Sequence, residues 1–231
     1  VKLITVSGPP SSGKTAVILK TLDYLKSEDL NVGIVKFDCL STFDDQLYSR
    51  AGIKVKVGLS GNLCPDHFFI SNIEDCVAWG ERHRLDFLIS ESAGLCNRCS
   101  PHIKDITAVC VIDCLSGVNT PKKIGPMLKL ADIVVITKGD IVSQAEREVF
   151  CFKVKQANPK AFIIFVNGIT GQGAFDLSVR LRGAADAAEL EGRRLRFSMP
   201  AALCSYCLGE TRIGEDYQTG NIKKMYFEDV S

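Results

Sequence analysis

A short apolar run, Val1 to Val6, leads directly into Gly8-Pro9-Pro10-Ser11-Ser12-Gly13-Lys14-Thr15, a complete G-x-x-x-x-G-K-[ST] loop. The loop in turn opens a helical pattern from Ala16 to Lys26, with Val17, Ile18, Leu22 and Leu25 on one side. Strand, glycine loop and helix in this order permit few architectures, because the loop wraps an anion at the open end of a helix while the strand lies inside a sheet. Gly8, Pro9, Pro10, Ser11, Ser12 and Gly13, with Lys14, Thr15 and Ala16 at the helix start, are expected to enclose phosphates. Free backbone N–H groups would face the anion, Lys14 would add a mobile positive charge, and the Thr15 hydroxyl is placed to bind Mg2+. The motif therefore implies a nucleoside triphosphate.

The rest of the chain alternates β-rich runs with helical patterns. Asn31 to Phe37, Lys54 to Leu59, Phe87 to Ser90, Ala108 to Ile112, Ile133 to Thr137 and Phe162 to Val166 read as strands. Helices are expected around Asp44 to Ala51, Ile73 to Arg84, Ser143 to Gln156 and Ala174 to Arg182, with Ser143 as an N-cap ahead of Glu146. Nearly continuous Val and Ile runs suit strands covered on both faces, so the fold class is α/β, a doubly wound, mostly parallel sheet. After about Arg193 the alternation stops. The expected organisation is a nucleotide domain over 1–193 and a short cysteine-containing appendage over 194–231.

The 231 residues are 46% hydrophobic, enough for a substantial core. A net charge of +1 gives no electrostatic footprint for nucleic acid, and no apolar stretch approaches the roughly 18 residues of a membrane span. With a strand at the very start and no signal peptide, a cytoplasmic location is expected. Ten cysteines in a reducing compartment then point to metal, an iron-sulfur cluster or redox chemistry rather than a disulfide framework.

Further polar segments fall at the C-terminal ends of expected strands, where open α/β sheets bind ligands. Asp38 begins Asp38-Cys39-Leu40-Ser41-Thr42, a loop suited to meet Mg2+ and the terminal phosphate. Glu91, in Ile89-Ser90-Glu91-Ser92-Ala93-Gly94, can hold Mg2+ directly or through water, while the Gly94 N–H can sense the terminal phosphate. Thr137-Lys138-Gly139-Asp140 resembles the [NT]-K-x-D base-recognition motif of GTPases, in which Asp140 would accept hydrogen bonds from guanine and so discriminate against adenine. Asn167 ends the next strand and can supply a second base contact. Lys14, Thr15, Asp38 and Glu91 are thus the expected catalytic set.

Two of the three histidines close a Cys-x-x-His: Cys64-Pro65-Asp66-His67 and Cys99-Ser100-Pro101-His102. Thiolate and imidazole at this spacing can bind one Ni2+ or Zn2+ ion. Cys96 adds Cys96-x-x-Cys99 two residues after Gly94, where a bound metal would feel the terminal phosphate. Cys204 and Cys207 form another Cys-x-x-Cys, so Cys96, Cys99, Cys204 and Cys207 could hold one Zn2+ or one iron-sulfur cluster, within a chain or across a dimer. Cys76, Cys110, Cys114 and Cys151 read as small core residues, His83 as a solvated helix residue, and Cys39 is ambiguous.

These segments together resemble the nickel-insertion GTPases that assist maturation of urease and [NiFe]-hydrogenase, HypB-like and UreG-like proteins within the SIMIBI class. The resemblance runs from about Lys2 to Leu181, carried by Gly8 to Thr15, Ile34 to Gly52, Glu91 to Gly94, Val111 to Asp113, Thr137 to Asp140 and Asn167 to Gly173. It implies GTP, Mg2+, a transition metal, a client metalloenzyme or its accessory proteins, and a GTP-dependent homodimer. The chain departs from the family at Ser11, where glycine is usual, and at Asp66, inserted between Pro65 and His67 of the Cys-Pro-His metal motif. The reading that follows is a GTP-hydrolysing metallochaperone. Two alternatives stand beside it: a P-loop NTPase carrying a four-cysteine iron-sulfur cluster, and a zinc-stabilised nucleotide-sensing adaptor.

Overall fold

Alternate residues along a strand face opposite ways, and in the central strands both sets are largely apolar. In the computed structural model, which describes residues 1–187, 190–197, 209–217 and 222–227, this produces a sheet covered on both sides. The seven strands are β1 (Lys2–Ser7), β2 (Val32–Asp38), β3 (Lys54–Leu59), β4 (Phe87–Ser92), β5 (Thr107–Asp113), β6 (Ile133–Thr137) and β7 (Phe162–Phe165). They lie in the order β3-β2-β4-β1-β5-β6-β7, and every pairing is parallel. The eight α-helices among the described residues are α1 (Lys14–Lys26), α2 (Asp44–Arg50), α3 (Pro65–Ile70), α4 (Ile73–Arg82), α5 (Thr120–Lys123), α6 (Pro126–Lys129), α7 (Gln144–Ala157) and α8 (Ala174–Arg182).

One face buries Ile4, Val6, Ile34, Val111 and Val135 under α1, α2 and α8 through Val17, Leu22, Tyr48, Leu177 and Leu181. The opposite face is split. Leu3, Val35 and Phe37 pack on Phe68, Phe69 and Trp79 of α3 and α4, whereas Cys110, Ile112, Val134 and Ile136 pack on α6 and α7. The expected N-cap is present in full: the Ser143 hydroxyl accepts from the Glu146 N–H while the Glu146 carboxylate accepts from the Ser143 N–H. Cys76 and Cys110 are buried in these cores, and Cys114 and Cys151 lie against the third.

The described part of 194–231 packs against the second core, through Leu195, Ile213, Met225 and Phe227. Arg196 fastens it. Its guanidinium donates to both Asp132 carboxylate oxygens at 2.7 Å and to the carbonyls of Ile103, Leu130 and Ile106. Asn72 holds the far end, with its amide nitrogen on the Lys223 carbonyl and its oxygen on the Met225 N–H. No helix of the described residues is long and apolar enough to cross a membrane.

Candidate functional site

The topology reverses between β1 and its two neighbours, β4 on one side and β5 on the other, so the loop after β1 opens into the crevice where such sheets bind ligands. Gly8 and Gly13 take positive φ, and α1 starts with no side-chain cap, leaving its first N–H groups free for an anion. Ser11, where glycine is usual in the GTPases this loop resembles, sits at φ 60, a left-handed conformation that costs a β-carbon-bearing residue about 1 kcal/mol. That cost explains the usual glycine. Two neighbours brace the loop: the Thr137 hydroxyl donates to the Ser12 carbonyl at 2.6 Å, and Lys138 Nζ donates to the Ser11 carbonyl at 2.8 Å.

Lys14 Nζ donates to the Gly8 and Pro9 carbonyls, both at 2.9 Å. Burial disfavours its ammonium and lowers its pKa to about 8, a deficit that a phosphate anion would relieve. Gly94 lies against the Gly8 carbonyl so closely that any side chain there would overlap backbone. The loop after β4 therefore touches the phosphate loop directly.

Glu91 is fully buried and is the hub of the site. Its Oε1 accepts from the Thr15 hydroxyl at 2.9 Å and from Lys36 Nζ at 2.7 Å, and its Oε2 accepts from the Tyr48 hydroxyl at 2.6 Å. Lys36 Nζ also contacts Asp44 Oδ2 at 2.6 Å. Burial opposes the Lys36 ammonium, but Glu91 and Asp44 outweigh it and raise its pKa. Burial, reinforced by the Glu91 charge, drives the Tyr48 pKa well above its ordinary value, so its hydroxyl keeps its proton as a donor. The oxygens of Thr15, Glu91 and Asp44 suit a hard cation such as Mg2+. Asp38 is not in this group. Its Oδ1 accepts from the Cys39 N–H at 2.8 Å, turned onto its own loop, while α2 brings Asp44 in its place.

Past the end of β6, Asp140 is exposed, on the rim of a cleft of about 740 Å³ beside β7. Asn167 also borders the cleft, but its Oδ1 accepts from the Ile169 and Thr170 N–H groups, so it shapes its own loop rather than projecting free. That loop packs against the phosphate loop's helix, with Gly168 close to the Ala16 side chain.

The cysteine motifs rearrange more than the spacing implies. The ligand atoms of Asp66, Cys96 and Cys99 all lie within 4.8 Å of one another. Cys64, at the N-cap of α3, shares a hydrogen bond with Cys99. The Cys99 hydrogen bond lowers the Cys64 thiol, while the same bond and burial push Cys99 upward, so Cys64 is the readier thiolate of the two. Burial raises the Asp66 carboxyl to about 7, with Cys64 adding to it. Asp66, read from sequence only as an interruption, thus faces the second cysteine pair.

His67 is buried with neither ring nitrogen hydrogen-bonded among the described residues, and burial lowers its pKa. His102 does not join the cysteines and corrects the expected second Cys-x-x-His ligand pair. It is fully buried, with Nδ1 3.0 Å from the Thr5 hydroxyl and Nε2 3.0 Å from the Met127 carbonyl. The carbonyl can only accept, so Nε2 carries the proton and Nδ1 accepts from Thr5: a neutral imidazole with both nitrogens engaged. Cys204 and Cys207 lie outside the described residues.

The CobW/HypB/UreG nucleotide-binding domain model matches residues 2–165. An uncharacterized protein of Methanocaldococcus jannaschii is 47% identical over 225 residues, 97% of this chain and 96% of that one. The urease accessory protein UreG of Haloquadratum walsbyi is 30% identical over 195 residues, 77% of this chain and 92% of its own. Among solved structures, the hydrogenase maturation factor HypB of Archaeoglobus fulgidus gives a TM-score of 0.64 at 24% identity, covering 79% of this chain and 89% of that one. HypB of Helicobacter pylori in complex with nickel gives 0.63 at 18% identity, covering 82% and 91%. These two establish likeness of fold.

Proposed function

The chain belongs to the CobW/HypB/UreG family of nucleotide-binding domains, and from that premise we propose that it is a GTP-hydrolysing metallochaperone that binds a transition metal and supports its insertion into a metalloenzyme. The observation that carries this reading is the loop after β4. It leaves β4 just past Glu91, meets the phosphate loop at Gly94 and continues into Cys96 and Cys99 beside Asp66 and Cys64. One short segment thus serves both ligands.

Hydrolysis in this site rests on positioning and charge neutralisation. The α1 N–H groups and Lys14 hold the phosphates, the Gly94 N–H meets the terminal one, and Asp140 selects guanine. Mg2+, when bound by the Thr15 hydroxyl near Glu91, neutralises charge on the phosphates. The metal cargo would be held by Cys64, Asp66, Cys96 and Cys99, with His67 one residue beyond. Nickel is the proposed cargo, as in the Helicobacter pylori HypB complex, and three thiolates with a carboxylate would also accept Zn2+. A homodimer, a client enzyme and accessory proteins complete the proposal.

The test is GTP turnover with a Lys14→Ala control, together with metal analysis of anaerobically purified wild type, Cys99→Ala and Asp66→Asn. Turnover that survives Lys14→Ala rejects the assigned site. Metal retained by Cys99→Ala rejects the assigned ligands, and broad visible absorption in the wild type would favour an iron-sulfur cluster.

A further inference from the structure

Lys36 and Glu91 are in-register partners on the adjacent parallel strands β2 and β4, so their side chains leave the same face of the sheet side by side. The Lys36 side chain is only 4% exposed, and its ammonium bridges Glu91 and Asp44. Glu91 Oε1 accepts simultaneously from Lys36 and from Thr15, the residue whose hydroxyl would bind Mg2+. A permanent positive charge is therefore built into the immediate surroundings of the divalent-cation position, in a place water reaches poorly.

Resting on the nucleotide reading above, we propose that Lys36 is a resident cation of the site, whose charge offsets Glu91 and Asp44 and so makes nucleotide binding less dependent on Mg2+. Two effects act in the same direction. Without Mg2+, the phosphates approach two carboxylates, and Lys36 cancels one of those charges. With Mg2+, the same ammonium repels the divalent ion arriving at Thr15. Removing it weakens metal-free binding and strengthens Mg2+ binding, so the ratio of nucleotide Kd in EDTA to that in Mg2+ rises. A lysine serving only to stabilise the fold would alter the unfolding midpoint and leave this ratio unmoved. Lys36 is thus a positioning residue that acts through the electrostatics of its neighbours.

The measurement is titration of a fluorescent GTP analogue against the full chain, in EDTA and in saturating Mg2+. One unit charge a few ångströms away in a poorly screened site predicts that Lys36→Met raises the ratio by at least about tenfold, while Lys36→Arg, which keeps the charge, stays within about threefold of wild type. Asp44→Asn, at a partly exposed position, removes a negative charge and is expected to lower the ratio, which keeps the test decisive if Lys36→Met fails to fold. A ratio unmoved in Lys36→Met, or one that fails to fall in Asp44→Asn, overturns the inference alone. A wild type that binds no nucleotide under either condition overturns the nucleotide reading itself, and the inference with it.

Discussion

Tyr48→Phe deletes one oxygen and almost nothing else, which makes it a clean probe of the Glu91 hub. Tyr48 is fully buried, and its hydroxyl is the hydrogen-bond partner that the described residues provide for Glu91 Oε2, at 2.6 Å. Phenylalanine keeps the ring contacts of the α1/α2/α8 core, so no cavity opens around the ring. What remains is a buried carboxylate oxygen without its donor, next to an Oε1 already shared by Thr15 and Lys36. A hydrogen bond to a charged group contributes about 1.5–3 kcal/mol, and water cannot replace it cheaply at this depth, so a loss of about 2–3 kcal/mol is expected. In a chain of 231 residues that lowers Tm by about 5–10 °C. Urea unfolding at neutral pH reads it directly as a lower midpoint with an unchanged m-value. A loss under about 0.5 kcal/mol would show that the hydroxyl is not supporting Glu91, and the hub as drawn would be wrong.

Gly94→Ala places a β-carbon against the Gly8 carbonyl at a residue with φ +70, so the phosphate loop and the loop after β4 must part. Nucleotide affinity is expected to fall by at least about tenfold, with about 1–3 kcal/mol of stability, checked by fluorescent nucleotide titration and urea melts. His102 has its pKa lowered by burial from 6.5 to about 4, so its contribution is complete above 6.5 and is lost as pH falls toward 4. That loss amounts to about 3 kcal/mol, and the wild type should lose correspondingly more stability than His102→Gln over this window. Comparison with the variant is needed because Asp66, raised from 3.8 to about 7, acts oppositely, contributing stability that fades as pH rises through 7. Parallel stability curves would refute the buried neutral imidazole. Arg196→Lys cannot reproduce a planar fork serving Asp132 and three carbonyls, and should cost about 2–3 kcal/mol; near-wild-type melting would mean that the tail is not fastened there.

The strands were legible because a parallel sheet covered on both faces leaves continuous Val and Ile runs, such as Ile133–Thr137, and the phosphate loop because its residues are contiguous. Helix α3 was not, since six residues are too few to establish a 3.6-residue period. Lys36 and Tyr48 were invisible for a different reason. Their meeting with Glu91 depends on β4 inserting between β1 and β2, and linear sequence does not announce which strands are neighbours. The Cys-x-x-His spacing misled at His102 because a motif specifies separation along a chain, whereas burial against β1 and α6 decides where a ring points. Conversely, Asp66 looked like damage to a metal motif. The first turn of α3 aims it at Cys96 and Cys99.

This geometry also constrains how phosphate and metal could communicate in the proposed function. Glu91 is fixed by three donors, so a push on Gly94 from an entering terminal phosphate is not easily absorbed toward β4. Only Leu95, exposed, separates Gly94 from Cys96, and the displacement passes on to the cysteine pair. Asp66 lies in the first turn of α3 and Cys64 at its N-cap, and the helix is anchored independently through Asn72, whose amide nitrogen donates to the Phe68 carbonyl. One half of the proposed donor set would therefore follow the phosphate while the other stays with α3, and the two nucleotide states should differ in metal affinity. Equal affinities with GDP and with a non-hydrolysable GTP analogue would show that the loop after β4 bends at Leu95 instead of transmitting.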